Sequence, residues 1–412
     1  MDNLFNRVTD ALITGVMRLR WLVLGLIALT TLLAAWQASR VQFDSSVEAW
    51  FVDHDPTMVS YREFLKRFGQ DEVVIMGLFT KDVYQPEFLA GLQKFTAAVE
   101  TLPHVRSATS LANARVLSGG EEGTSMEPLI TTAPTNAAES AALRQKVESG
   151  PPLVRGLVGD KGAATAVIVT LEDSCRGTDA QGELVAAVRA LQNQLPPNST
   201  MRIAGTPVVN VGMFQYAERD LRVLVPVALL LVFVTTYFLY RRFRASLVPI
   251  FNVGIAIIWV FAIMALLGWK TNILHAAMVL VLIVCGVANS IHILAAYFRE
   301  LEHGHDRETA AVRAVGEIMR AALFANLTTV VGFLSLLNTD LEPIRQYGVL
   351  AALGSVFAFL LSVIGVPPLL PFVRPPKHAT HSDDEHTWYV KIVHLLARPS
   401  RQSSIKVVIA TG

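Results

Sequence analysis

The side chains that could do chemistry in this chain gather in one long apolar stretch, residues 272–298. Cys285, Asn289, Ser290 and His292 lie in its second half, where most of the other residues are apolar. A run of this length can cross a bilayer as a helix, and on a helix Asn289 and His292 share a face. Amide and imidazole groups are costly in hydrocarbon. The pattern therefore predicts that this face turns towards a neighbouring helix or a wet cavity.

The composition around this stretch is typical of a membrane protein with several spans. Of 412 residues, 52% are hydrophobic and 17% are charged, and the mean hydropathy is +0.44, which is too apolar for an ordinary soluble domain. The formal net charge of +1 indicates no nucleic-acid partner. Cys175 lies in a polar region and is expected to be a free outer-loop thiol, while Cys285 lies in an apolar run. The cysteines therefore predict neither a disulfide nor a metal site, and no cofactor is expected.

Six apolar segments are long enough to be membrane spans. They are residues 21–38, 221–240, 246–267, 272–298, 321–337 and 347–373. Basic residues cluster after the second, fourth and sixth segments, so the positive-inside rule predicts that both chain ends are cytoplasmic. Amphipathic segments at 3–18 and 303–320 are expected to lie on the membrane surface.

Between the first two spans, residues 41–219 predict a soluble α/β domain, which the same rule places on the outer side. Two strand–helix–strand units predict a ferredoxin-like sandwich. A stretch rich in glycine, serine, threonine and glutamate, residues 115–140, is expected to be a loop. Strands are predicted at 71–79, 105–111, 153–159, 164–172 and 201–207, and helices at 86–102, 137–149 and 180–195.

Residues 388–412 repeat the pattern of the beginning of the chain. An amphipathic segment is followed by Arg398 and Arg401 and then by a short apolar run. That run is too short to cross a bilayer by itself, and duplicated halves are common in transporters. We therefore expect the first half of a two-repeat protein. Its predicted parts are an amphipathic segment with the first span (1–40), an outer α/β domain (41–219), the other spans (220–375) and a linker leading into a seventh span (376–412).

Four local motifs resemble those of one transporter superfamily, in the same order and on the same spans. They are VEAWFVDHDP (47–56), GVANSIHIL (286–294), LTTVVGFLSL (327–336) and EPIRQYGVLAALG (342–354). The chain resembles half of a resistance–nodulation–division (RND) transporter. More narrowly, it resembles the MMPL-like, hopanoid- and lipid-exporting branch, which is related to sterol-sensing-domain proteins. The resemblance implies a polytopic α-helical membrane protein, a six-span half-bundle with a periplasmic ferredoxin-like α/β domain between spans one and two.

The implied function is secondary transport of hydrophobic or lipid-like molecules out of the bacterial inner membrane, coupled to ions such as protons. In proton-driven members of the superfamily, a fourth-span acid carries the proton. Asn289 occupies the matching position here, and an amide does not titrate near neutral pH. His292 is the nearest ionisable group on that face. Three alternatives stay open: His292 substitutes for the acid, the acid lies in a second half, or the protein is not proton-driven.

A different class of function is also consistent with the sequence. A lipid-sensing or scaffolding protein of the sterol-sensing type would need no transport cycle, and Asn289 in place of the acid favours it. The sequence has no phosphate-binding loop and no catalytic constellation, so we predict no enzyme. Expected partners are membrane lipids or hydrophobic small molecules, a second half of the same protein, and further copies in a dimer or trimer.

The candidate site residues fall into two groups. Glycines are expected to let helices approach closely, and polar residues are candidates for a transport relay. The packing candidates are Gly286, Gly332 and Gly354, and the relay candidates are Asn289, Ser290, His292, Asn326, Thr328 and Thr329. Asn272 and His275 are expected to anchor the fourth span at the outer interface. Glu48, Asp53, His54 and Asp55 lack ligand spacing for a metal and are expected to form a solvated loop.

Overall fold

The computed structural model describes residues 2–44, 47–51, 55–68, 72–120, 123–130, 134, 136–175 and 177–373. The predicted repeat at 388–412, and Asp53 and His54 of the acidic loop, lie outside these residues. Within them, six helices are long and apolar enough to cross a membrane.

Two consecutive helices begin the chain. Helix α1 (Asp2–Arg18) ends just before α2 (Arg20–Ala38), which is the first span. The apolar face of α1 buries Ile13 and Met17, and the helix packs mainly on the helix that contains the fifth span. The predicted surface helix therefore packs on protein along one side, because these side chains fall on one helical face.

A sheet domain follows the first span. Its main sheet has the strand order β2-β6-β1-β7, with every neighbouring pair antiparallel. The elements are α3 (Pro56–Phe68), β1 (Val73–Phe79), α4 (Pro86–Glu100), β2 (Val105–Thr109), β3 (Arg115–Gly120), β4 (Gly123–Pro128), α5 (Ala137–Glu148), α6 (Pro152–Arg155), β5 (Val158–Gly159), β6 (Ala164–Leu171), α7 (Thr178–Ala190) and β7 (Thr200–Ala204).

The order of these strands is that of the predicted ferredoxin-like sandwich. The units β1-α4-β2 and β6-α7-β7 interleave, so each unit has a strand of the other unit between its own two strands. Alternate residues of the central strands, such as Met76 and Val169, are fully buried, together with Phe88 of α4 and Leu184 of α7. The prediction of a polytopic helical fold with an inserted α/β domain is thus confirmed.

Three predictions inside the domain were wrong in whole or in part. The expected loop at 115–140 contains the β3–β4 hairpin, with Arg115 opposite Pro128, because glycines at its tip permit a turn despite the loop-like composition. The expected strand at 153–159 begins as the short helix α6, with Pro152 in its first turn, where proline favours a helix, and only Val158–Gly159 form a strand, β5. Cys175 is a free thiol in the loop between β6 and α7, as expected, but its side chain is buried in the domain core, and burial raises the pKa of its thiol to about 11.

Five further helices complete the bundle. They are α8 (Thr206–Tyr240), α9 (Phe243–Leu266), α10 (Ile273–Glu302), α11 (Arg307–Leu334) and α12 (Glu342–Ile364). In the apolar windows of α9, α10 and α12, 44–61% of residues are buried, against 0–6% in α2, α8 and α11. Three central helices are therefore flanked by three outer ones: α2 packs on α9, α8 on α9 and α10, and α11 on α10 and α12.

Several span boundaries differ from the prediction. The second span belongs to α8, whose 35 residues make it about 52 Å long, well beyond the hydrocarbon thickness. Its first turns pack on the sheet domain. The predicted surface helix at 303–320 and the fifth span form one helix, α11, because no proline separates them. The sixth span begins at Glu342 and ends at Ile364, where a proline-rich 3₁₀ segment follows.

Candidate functional site

A closed polar cluster joins the three central helices. Nδ2 of Asn252 in α9 donates to Oγ of Ser290 in α10 and to Oγ of Ser362 in α12, at 2.9 Å each. The carbonyl oxygens of Ala358 and Gly286 lie 3.2 and 3.4 Å from the same nitrogen. The three side chains, which we call the Asn252 cluster, are 0–4% exposed. The cluster therefore connects α9, α10 and α12 at one buried point.

Small residues bring the central helices close enough for these bonds. A Cβ at Gly286 would collide with Val253 of α9 and lie 3.1 Å from the Cβ of Ala358 in α12. A Cβ at Gly354 would lie 2.5 Å from Cδ2 of Leu282 in α10. Both glycines are buried between helices, in line with the close-packing role that we proposed for them.

Asn289 and His292 are not part of this cluster. Asn289 is half-buried and His292 is exposed on the outside of the bundle. Neither side chain forms a hydrogen bond with any residue in the part of the chain that the structure describes. Successive residues of a helix turn by about 100°, so Ser290 points inward while His292 points outward. The expectation that the Asn289–His292 face turns towards a neighbouring helix is therefore not met by these six spans.

The polar candidates of α11 bond mainly within the bundle or to their own helix. Asn326 Oδ1 accepts from Ser355 Oγ of α12 at 2.7 Å. The hydroxyls of Thr328 and Thr329 donate to the carbonyl of Ala325 at 2.8 and 2.9 Å, which is the usual back-bonding of threonine in a helix.

The third packing candidate, Gly332 of α11, is exposed. No described atom lies within 4 Å of a Cβ built there. Among the described residues, Gly332 meets no other helix, because it faces away from them, and its packing role stays a prediction.

Asn272 and His275 form a capping box and do not simply anchor the helix at the interface. Asn272 Oδ1 accepts from the backbone N–H groups of Leu274 and His275, and His275 Nδ1 accepts from the Asn272 N–H at 3.3 Å. Both side chains are buried. Because Nδ1 is an acceptor, the ring proton is on Nε2, which has no partner among the described atoms. The pair therefore defines where α10 begins.

Comparison with known proteins identifies the family. The MMPL family model matches residues 89–402, which is most of the chain. The chain belongs to the MMPL family. This agrees with the resemblance in the four sequence motifs and places the chain in the RND superfamily.

Individual proteins are also similar to this MMPL-family chain. It is 26% identical over 201 residues to MJ1562 of Methanocaldococcus jannaschii, whose name describes a membrane protein. It is 27% identical over 218 residues to multidrug resistance protein MdtC of Pectobacterium atrosepticum and 26% identical over 227 residues to MdtC of Yersinia enterocolitica. The matches cover 47%, 52% and 54% of this chain but 52%, 20% and 21% of the relatives, so the chain spans only part of their length.

Sequence reasoning missed two members of the Asn252 cluster in this MMPL-family protein. Asn252 and Ser362 each stand in a span that was treated as uniformly apolar. The amide of Asn252 could have indicated the cluster, because a polar side chain inside a transmembrane helix usually has a hydrogen-bond partner on a neighbouring helix. Its Oδ1 has no hydrogen-bond partner among the described atoms, so the amide is held through its nitrogen.

Proposed function

We propose that this MMPL-family protein is a secondary transporter that moves hydrophobic or lipid-like molecules out of the bacterial inner membrane. The observation that carries the proposal is the family match over residues 89–402, on a chain with six spans and a ferredoxin-like domain between the first two. The MdtC relatives are named for multidrug resistance, which supports efflux of small molecules as the kind of activity.

The proposed orientation places the sheet domain in the periplasm. Arg241, Arg242 and Arg244 surround the turn between α8 and α9, and further basic residues flank the turn between α10 and α11. The turn between α9 and α10 carries only Lys270. The positive-inside rule therefore supports cytoplasmic α8–α9 and α10–α11 turns and a periplasmic sheet domain.

The proposed coupling group is His292, because Asn289 cannot carry a proton. An imidazole on the outer face of a membrane helix is costly next to lipid. The exposure of His292 on these six spans supports the proposal that a second repeat of the protein covers this face. A water-filled space at that interface would then reach the imidazole. A homo-oligomer, a dimer or trimer, is proposed on the family resemblance alone and can be checked by light scattering of the purified protein.

The deciding experiment is export by the full-length gene product. We expect deletion of the gene to reduce efflux or to change the lipid distribution between membranes, and the wild-type gene to restore both. In proteoliposomes, His292→Ala is expected to remove the dependence of transport on a pH gradient. Ser335→Ala is the matched control, since that residue is also exposed, is not a relay candidate, and its hydroxyl is bonded to the carbonyl of Gly332.

The alternative proposal is lipid sensing or scaffolding without transport. The observation that favours it is the amide of Asn289 at the usual position of the acid. Unchanged efflux and unchanged lipid distribution on deletion would support this alternative and count against transport. If His292→Ala transports with an unaltered pH response, the transport proposal stands and the proposed coupling role of His292 is wrong.

A further inference from the structure

A groove runs between the first and third spans on the outside of the bundle. Its volume is about 480 Å³, within the range of small-molecule sites. It extends along α2 from Thr30 to Gln37, which is about 10 Å of helix, or most of the hydrocarbon depth of one leaflet. We call it the α2–α9 groove; its walls include Leu33, Ala34, Trp36, Trp259, Ile263 and Phe357.

Thr30 and Trp259 in the walls of the groove have their polar atoms already bonded within the protein, whereas the side chains of Trp36 and Gln37, nearer the mouth, form no hydrogen bond with the described residues. The indole N–H of Trp259 donates to Thr31 Oγ1 at 3.1 Å, and that hydroxyl donates to the carbonyl of Ile27. The hydroxyl of Thr30 donates to the carbonyl of Leu26 at 2.8 Å. An occupant of the groove therefore needs no hydrogen-bonding groups at this depth, which suits an acyl chain.

A positive charge stands at the mouth of the groove. The guanidinium of Arg40, just beyond the end of α2, lies 3.8 Å from the ring centre of Trp36. No carboxylate of the described residues forms an ion pair with Arg40. The cation of Lys270, at the same end of the bundle, is by contrast neutralised by Asp44 at 3.0 Å. The mouth thus favours an anionic group.

We propose that the α2–α9 groove binds one anionic phospholipid, with an acyl chain between the two helices and its phosphate on Arg40. The stacking on Trp36 orients the guanidinium and leaves its N–H edge able to donate to phosphate oxygens. Simple interfacial anchoring by arginine and tryptophan would explain the position of both side chains but would not require a groove beneath them. The proposal rests on the membrane placement of α2 and α9 and not on transport.

The test measures lipid retained by the full-length protein in mild detergent, by native mass spectrometry with phosphatidylglycerol and phosphatidylethanolamine of the same acyl chains. We expect Arg40→Gln to lower phosphatidylglycerol binding roughly fivefold. Phosphatidylethanolamine binding is expected to fall less, because it has the same phosphate but its ammonium group already offsets the negative charge. Ala34→Phe, which fills the groove, is expected to lower both. The matched controls are Lys270→Gln, a cation already paired, and Ala35→Phe, an exposed neighbour outside the groove; both are expected to leave binding unchanged.

A second measurement guards against variants that fold poorly. Phosphatidylglycerol with brominated acyl chains is expected to quench the tryptophan fluorescence of the wild-type protein, and less so that of Ala34→Phe. An unaltered ratio of the two lipids in Arg40→Gln would overturn the headgroup assignment, and wild-type binding and quenching in Ala34→Phe would overturn the groove. Neither readout uses transport, so failure here and failure of the proposed transport function are distinguishable.

Discussion

Ser290 and His292 stand two residues apart on α10, yet their surroundings differ completely. Ser290 is fully buried and receives a hydrogen bond from Asn252, whereas His292 is exposed and has no hydrogen bond with the described residues. The same contrast separates Gly286, which is enclosed by Val253 and Ala358, from Gly332, which meets nothing within 4 Å. The centre of the bundle is therefore closely packed, whereas His292 and Gly332 face away from the other helices.

This difference separates two uses of polar residues in a membrane helix. Hydrogen bonds between membrane helices contribute on average about 0.6 kcal/mol, with a maximum near 1.7 kcal/mol. The Asn252 cluster therefore stabilises the position of three helices through the amide nitrogen, although the buried Oδ1 has no partner among the described atoms. His292 has no hydrogen bond in these six spans to offset the free-energy cost of an imidazole in hydrocarbon. For this reason we propose that His292 has the coupling role.

Replacement of Gly286 is expected to give the largest change in stability. In Gly286→Ala the new Cβ would collide with Val253, and overpacking of this kind costs about 1–3 kcal/mol. The free energy of unfolding of the purified full-length protein, measured in mixed micelles, checks this value.

The matched control is Gly332→Ala, in which the Cβ meets no described atom. We expect an unchanged stability or a gain of up to about 1 kcal/mol from the higher helix propensity of alanine. An equal loss of unfolding free energy in the two variants would contradict the contrast between the packed centre at Gly286 and the outward-facing position of Gly332.

Replacement of Asn252 is expected to give the next largest effect. Asn252→Leu keeps a similar volume but removes the hydrogen bonds to Ser290 and Ser362, at a cost of about 1–2 kcal/mol. Asn289→Leu, on the same face as His292, is expected to cost less than about 0.5 kcal/mol. The same unfolding measurement compares them, and a larger loss for Asn289→Leu would show that the outer face is a packed interior in the full-length protein.

The sequence was sufficient for the elements that depend on local pattern. Apolar length predicted all six spans, and short apolar runs predicted strands β1 and β6, because both signals lie within a few neighbouring residues. The β3–β4 hairpin was missed because its composition resembles that of a loop, although a backbone ladder does not depend on apolar side chains. The start of α8 was missed because its first turns are amphipathic and pack on the sheet domain.

The candidate site could be predicted only in part, since its contacts are distant in sequence. Asn252 bonds to residues 38 and 110 positions away, and no local pattern indicates which helices meet. The spacing of Asn289 and His292 correctly placed them near one face of α10. It could not show which neighbour covers that face, because burial depends on the packing of helices that are separated by long stretches of chain.

The smallest predicted effects on stability come from substitutions in α11. Asn326→Ala removes the hydrogen bond from Ser355, the contact between α11 and α12 that we expect to contribute about 0.6 kcal/mol. Thr328→Val removes only a hydroxyl bonded to its own helix, and we expect no measurable change in the free energy of unfolding. A double replacement of Asn326 and Ser355 by alanine should cost no more than Asn326→Ala alone, because both remove the same bond. Additive losses would mean that the two side chains do not act as a pair, and α11 would then be held to α12 by apolar contacts alone.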